Sequence, residues 1–201
     1  MNTKLDTKKD IYKEVIDIAF DEHANVLKET HLKIAENIKE AANLIAKSLA
    51  SGGTIFWCGN GGSAADSQHI AAEFVGRFKK DRQPLRSIAL TTDTSVLTCV
   101  ANDYSFEEIF SRQINALGRN GDVLVAITTS GKSENIKQAL IQAQKMGIKT
   151  VGLLGNKGGE CKDYSDISLI VPSSITARIQ EIHILIEHLL CELVEYELGL
   201  N

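Results

Sequence analysis

The sequence predicts an α/β fold, a three-layer sandwich in which a central parallel sheet lies between helices, with further helices added at the N-terminus. Three observations carry that prediction. Residues 123–128 and 149–154 are short continuous apolar runs of the kind buried on both faces of a parallel sheet. Strand-like runs and segments with apolar residues at helical spacing alternate along the chain from 54 to 198. Two strand-to-helix junctions, 58–63 and 128–133, are rich in glycine, asparagine and hydroxyl residues, and that edge of a parallel sheet is where ligands collect.

Taken in order, 8–27 and 29–49 carry apolar residues three and four apart (Ile11, Val15, Ile18; Leu32, Ile34, Ile38, Ala41, Leu44, Ile45) and predict two amphipathic helices. Ser51-Gly52-Gly53 stops the second. Apolar faces this large predict packing on another helix pair, including one from another subunit. Residues 54–57 read as a strand that ends in Gly59-Asn60-Gly61-Gly62-Ser63. A helix then starts at Ser63, with Asp66 at capping-box spacing, so that its first N–H groups face the loop and attract anions.

Residues 86–90 are a second strand ending in Thr91-Thr92-Asp93, and 95–101 with 107–117 read as two short helices around Asn102-Asp103. The strand 123–128 leads into a helix over 134–146. Residues 149–154 form the next strand, 155–159 a loop and 166–171 the last strand, ended by Pro172. The C-terminal helix covers 175–198, with Ile179, Ile182, Ile186, Leu190 and Leu193 as its apolar stripe.

A chain of 201 residues with 43% hydrophobic and 24% charged residues and only 2 prolines suits one domain: helices over 1–50, a sheet core over 54–171 and a helix over 175–198. A net charge of −4 and a pI of about 5.8 argue against nucleic-acid and anionic-membrane partners. Cys58, Cys99, Cys161 and Cys191 form no C-x-x-C and read as reduced thiols, which predicts a cytoplasmic protein. Residues 1–10 are polar, and no apolar run reaches the roughly 18 residues of a membrane span.

Chemistry concentrates at the two junctions. His69 and Glu73, four apart on a helix, share one face, where an imidazole and a carboxylate can hold a metal, a proton or a substrate; the same pair is also common as an exposed surface contact. No G-x-x-x-x-G-K-[ST] is present. The dinucleotide fingerprint is only loosely matched, because no acid follows about 20 residues later at the end of a strand. The turn Thr128-Thr129-Ser130-Gly131-Lys132-Ser133 has the composition of a phosphate cradle, although a plain N-cap would need only one of its hydroxyls. On the last helix Gln180, His183, Glu187 and His188 interrupt the apolar stripe. Gln180 and His188 lie about 80° and about 12 Å apart on a helix, so they reach one ligand only by bending toward it or by coming from different subunits.

With these segments placed, the chain resembles the sugar-isomerase (SIS) domain family over residues 30–196, and within it the phosphoheptose isomerases. The resemblance rests on C-G-N-G-G-S (58–63), H-x-x-x-E (69–73), G-R (76–77), Thr92-Asp93, A-N-D (101–103), T-S-G-K-S (129–133) and A-R-I-Q-E-I-H-x-x-x-x-H (177–188). It implies an SIS-type, flavodoxin-like sandwich and conversion of sedoheptulose 7-phosphate to D-glycero-D-manno-heptose 7-phosphate through an enediol. It further implies Glu73 as general base and His188 as second acid/base group, with one zinc per subunit on His69, Glu73, Gln180 and His188.

The phosphate hydroxyls implied are those of Thr128, Ser130 and Ser133, with Thr129 as a further substrate contact. Other substrate contacts fall on Asn60, Gly61, Gly62, Ser63, Glu73, Arg77, Thr92, Asp93 and Gln180. The family implies a homotetramer with sites at subunit interfaces. Thr128 stands where serine is usual, and Lys132 where asparagine is common. A similar branch of the family is a non-catalytic tetramer that binds the bacterial replication initiator, and it lacks the carboxylate of Glu73 and the imidazole of His188; this chain has both.

Overall fold

The computed structural model describes the backbone of residues 3–201 and the side chains from Asp10 onward. Residues 1 and 2, which open the first predicted helical region, and the side chains of the polar start lie outside the described residues. The elements are α1 (Thr3–Ala50), β1 (Ile55–Gly59), α2 (Gly62–Val75), β2 (Ser87–Ala89), α3 (Thr94–Asp103), α4 (Ser111–Leu117), β3 (Val123–Thr128), α5 (Glu134–Lys145), β4 (Lys149–Gly155), β5 (Ile167–Val171) and α6 (Thr176–Glu197). Single 3-10 turns at Phe106–Glu108 and Glu160–Tyr164 complete the described chain.

The five strands are all parallel, in the order β2-β1-β3-β4-β5. This is the doubly wound order in which the chain reverses direction between β1 and β3, and ligands bind outside the strand ends at that crevice. Alternation along the strands feeds two cores. Ile55, Trp57, Val125, Ile127 and Leu153 face α1, α2 and α6, whereas Phe56, Cys58, Leu124, Ala126 and Leu154 face α3, α4 and α5. That is the predicted three-layer sandwich, with each face of the sheet covered.

The N-terminal prediction needs correction. The two helices expected over 8–27 and 29–49 are one, 48 residues long and roughly 72 Å from end to end. No glycine or proline stands at Lys28-Glu29-Thr30, and the Thr30 hydroxyl donates back to the Val26 carbonyl inside the helix at 2.7 Å instead of capping a new one. Ile34, Ile38, Ala41, Ile45 and Ala46 bury the second half against the sheet and α6, while Ile11, Val15, Ile16 and Phe20 stay exposed on the first half.

Three smaller corrections follow. The predicted helix 107–117 is a 3-10 turn followed by the short α4, and the sequence reading missed the turn at Glu160–Tyr164. Ser63 does not cap α2, whose N-cap is Gly61 with φ of 57° and no side-chain bond. The N–H groups of Ser63 and Ala64 in the first turn of α2 bond back to the loop carbonyls of Asn60 and Gly61, each at 3.0 Å, so these two do not face a ligand as expected.

Candidate active site

β1 and β3 pair from Ile55–Val123 to Gly59–Ile127, which brings the two ligand loops side by side at the carboxyl edge of the sheet. Beneath them Trp57 is fully buried, donating from Nε1 to Ser87 Oγ at 2.8 Å and packing on Phe74 at 5.7 Å between ring centroids. This contact seats α2 on the sheet and so sets the height of the residues it carries.

α2 presents His69 and Glu73 as predicted, with Nε2 to Oε1 at 3.3 Å and both side chains partly exposed. The His188 ring stands edge-on to that of His69, with centroids 5.2 Å apart, and the Phe78 ring packs on its other side at 5.4 Å. A single chain therefore brings His69, Glu73 and His188 near one another. Gln180 enters at the other end of α2, where its amide nitrogen packs into the space that a Cβ on Gly62 would fill. Gln180 beside Gly62 and His188 beside His69 mean that α6 runs alongside α2, and both residues reach it from the same chain, at separate levels.

The donor set of two imidazoles, one carboxylate and one amide suits zinc. Among the described residues, however, no three His, Cys, Asp or Glu side chains are grouped closely enough to hold an ion, so binding one requires side-chain movement.

The second loop gathers its hydroxyls. Thr128 Oγ1 lies 3.1 Å from Ser133 Oγ and 3.4 Å from Ser130 Oγ, and Gly131 N and Lys132 N donate to Thr128 Oγ1 and Ser130 Oγ at 3.3 and 3.1 Å. Gly131 has φ of 66°, and a Cβ there would strike the backbone of Gly158, so the loop is braced by the turn after β4. A cluster of hydroxyl and amide donors at the start of α5 can hold a phosphate.

Other predicted contacts are committed elsewhere in this structure. Asp93 caps α3, accepting from Val96 N at 3.0 Å, and Thr92 Oγ1 donates to the Ala89 carbonyl. Arg77 donates from Nη1 to the Lys79 carbonyl at 3.3 Å, and the Asn60 amide is paired with Asn135, a residue the sequence reading passed over.

Behind the site lie buried acids. Glu187 is fully buried and neither carboxylate oxygen has a partner; burial raises its pKa well above the usual range, and the neighbouring Asp66 adds to the shift. Asp66, expected to close a capping box, instead leaves Oδ2 buried without a partner, and burial raises its pKa against the opposing effect of His69.

The chain is similar in sequence and fold to known proteins. The model of the SIS domain family matches residues 20–155. Phosphoheptose isomerase of Clostridium acetobutylicum is 54% identical over 163 residues, covering 81% of this chain and 83% of that protein. Phosphoheptose isomerase of Helicobacter pylori is 48% identical over 182 residues, covering 90% and 95%. Among solved structures, phosphoheptose isomerase GmhA from Neisseria gonorrhoeae superposes with a TM-score of 0.88 at 42% identity, over 92% of this chain and 99% of that one. A phosphoheptose isomerase from Francisella tularensis gives 0.89 at 38% identity, over 92% and 98%.

Proposed function

The chain belongs to the SIS domain family, and from that membership we infer an aldose–ketose isomerase of heptose biosynthesis that converts sedoheptulose 7-phosphate to D-glycero-D-manno-heptose 7-phosphate. The observation that carries this reading is the assembly of Glu73, His69 and His188 on the C-terminal half of α2, in a chain whose β3–α5 turn gathers a cluster of hydroxyls. Moving a carbonyl between C2 and C1 takes a proton from C1 and returns one to C2, and a single carboxylate on one face of the enediol can do both. Glu73 is assigned that transfer. His188 is assigned proton exchange with the oxygens. Thr128, Ser130 and Ser133 bind the phosphate and fix the reacting end. Incubating the protein with sedoheptulose 7-phosphate and following the aldose signals by NMR tests the reading; no aldose above a protein-free control ends it.

Further parts of the reading concern assembly and metal. The chain acts as one SIS-type unit in a cytoplasmic homotetramer, which the exposed Ile11, Val15, Ile18 and Phe20 on α1 support, since exposed apolar rows of this kind mark interfaces. A monomer in light scattering at micromolar concentration would end that part. No described helix is long and apolar enough to cross a membrane. Zinc would be held by His69, Glu73, Gln180 and His188 and, when bound, would act as a Lewis acid toward the substrate oxygens. Protein purified without chelator that contains no zinc and keeps full activity in EDTA would remove the metal from the account.

A further inference from the structure

We propose that Arg82 and Glu195 are a positioning pair that holds Glu73 and His188 in register for the proton transfers. The proposal rests on the isomerase reading of those two residues. Arg82 lies in the polar run Lys79-Lys80-Asp81-Arg82-Gln83, yet its side chain and that of Glu195 are each only 3% exposed. The buried guanidinium is spent on backbone at the end of α2. Nη2 donates to the carbonyl of Glu73 itself at 2.9 Å, and Nη1 donates to the carbonyls of Phe74 at 2.8 Å, Gly76 at 3.3 Å and Gln83 at 3.1 Å. Nε donates to Glu195 Oε1 at 2.8 Å.

The Glu73 and Phe74 carbonyls belong to the last turn of α2, whose carbonyls a helix leaves without intrahelical partners and where a cation is also favoured by the helix dipole. Arg82 thus closes the helix end that carries Glu73 and ties it to α6. Glu195 follows His188 on α6 by seven residues, two turns further along the same face. Its Oε1 also accepts from Phe78 N at 3.4 Å, and the Phe78 ring is the one that packs on His188. A single carboxylate oxygen therefore anchors both the clamp on Glu73 and the segment that braces the imidazole. Only a planar fork can reach several carbonyls and a carboxylate at once; a lysine keeps the charge but not that geometry.

Arg82→Lys, the pair Arg82→Met with Glu195→Leu, and Glu73→Gln as reference test the role in the full chain. The paired change is used because removing one partner alone would leave a buried charge uncompensated, whereas apolar replacement of both is often tolerated. Assayed well below their melting temperatures, both Arg82 variants are expected to lose about 10- to 10²-fold in kcat, as misplacement of a reacting group does, with KM within about twofold of the parent. Turnover near the parent value in Arg82→Lys, or a loss confined to KM or melting temperature, overturns the proposal. If the paired variant does not fold, Arg82→Lys decides alone by the same split. An inactive Glu73→Gln beside a normal Arg82→Lys removes only this inference; an active Glu73→Gln removes the base assignment on which it rests.

Discussion

Asn60 and Asn135 exchange two hydrogen bonds, Nδ2 to Oδ1 in each direction at 2.9 Å, across the gap between the β1–α2 loop and the start of α5. Both amides use a donor and an acceptor on each other, so the glycine loop and the hydroxyl loop are held at a fixed separation.

Asn135→Leu should uncouple the loops. It leaves the part-buried Asn60 amide without its partner, which costs about 1–3 kcal/mol, and lets the phosphate end drift from the carbon end. A lower melting temperature together with a raised KM is the expected result. A variant with an unchanged KM for the phosphorylated ketose would show that the loops hold their spacing without the pair.

Ser130→Ala should weaken binding more than it slows turnover. Its Oγ accepts from Lys132 N and stands beside Thr128 Oγ1, so the substitution removes one phosphate donor and loosens the turn. A phosphate remote from C1 and C2 supplies mainly binding energy, part of which also orients the reacting end. Steady-state kinetics with KM unchanged and kcat alone reduced would contradict this assignment.

His183 makes acid stability testable. Its ring is fully buried, Nε2 donates to the Leu154 carbonyl at 3.2 Å, Nδ1 has no partner, and burial lowers its pKa to about 4 against the weaker opposing effect of that hydrogen bond. The unfolded chain takes up a proton near the ordinary value of 6.5 and the folded one does not, so the folded state loses stability as pH falls from 6.5 toward 4. The full effect is about 3 kcal/mol. His183→Gln should flatten the slope of unfolding free energy against pH across that window; an unchanged slope would mean that other groups set it.

The sheet was legible because its strands are short apolar runs bounded by glycine and hydroxyl turns, and the His69–Glu73 contact because both residues share a helix face that spacing alone defines. What was not legible came from tertiary placement. Lys28-Glu29-Thr30 interrupts the apolar pattern of α1 without any residue that breaks a helix, so one helix looked like two. Arg82 sits in a run that composition reads as solvated loop, and only the packing of that loop between α2 and α6 buries it. Asn135 looked like a polar residue in the first turn of a helix, and its role depends on Asn60, far away in the chain but brought close by the β1–β3 pairing. For Gln180 and His188 the spacing on one helix left two routes to a shared ligand, bending toward it or coming from different subunits; the structure adds that α6 runs alongside α2 and brings them to successive levels of it.

The decisive prediction concerns Glu73. Its Oε1 is 3.3 Å from His69 Nε2, and the backbone carbonyl of the same residue is fixed by Arg82, so replacing the carboxylate by an amide changes the chemistry while keeping the shape and the helix. Glu73→Gln should still bind the phosphorylated ketose but lose at least the roughly 10²–10⁴-fold that a general base contributes. His188→Gln should lose a comparable factor. The two together should lose far less than the product of their separate effects, because both serve one transition state. Ketose deuterated at C1 should show a primary isotope effect on the parent enzyme, since the bond to that atom breaks on the way to the enediol. Near-normal turnover in Glu73→Gln, or C1 deuterium that gives neither an isotope effect nor washout in a single turnover, would move the proton transfer to another residue.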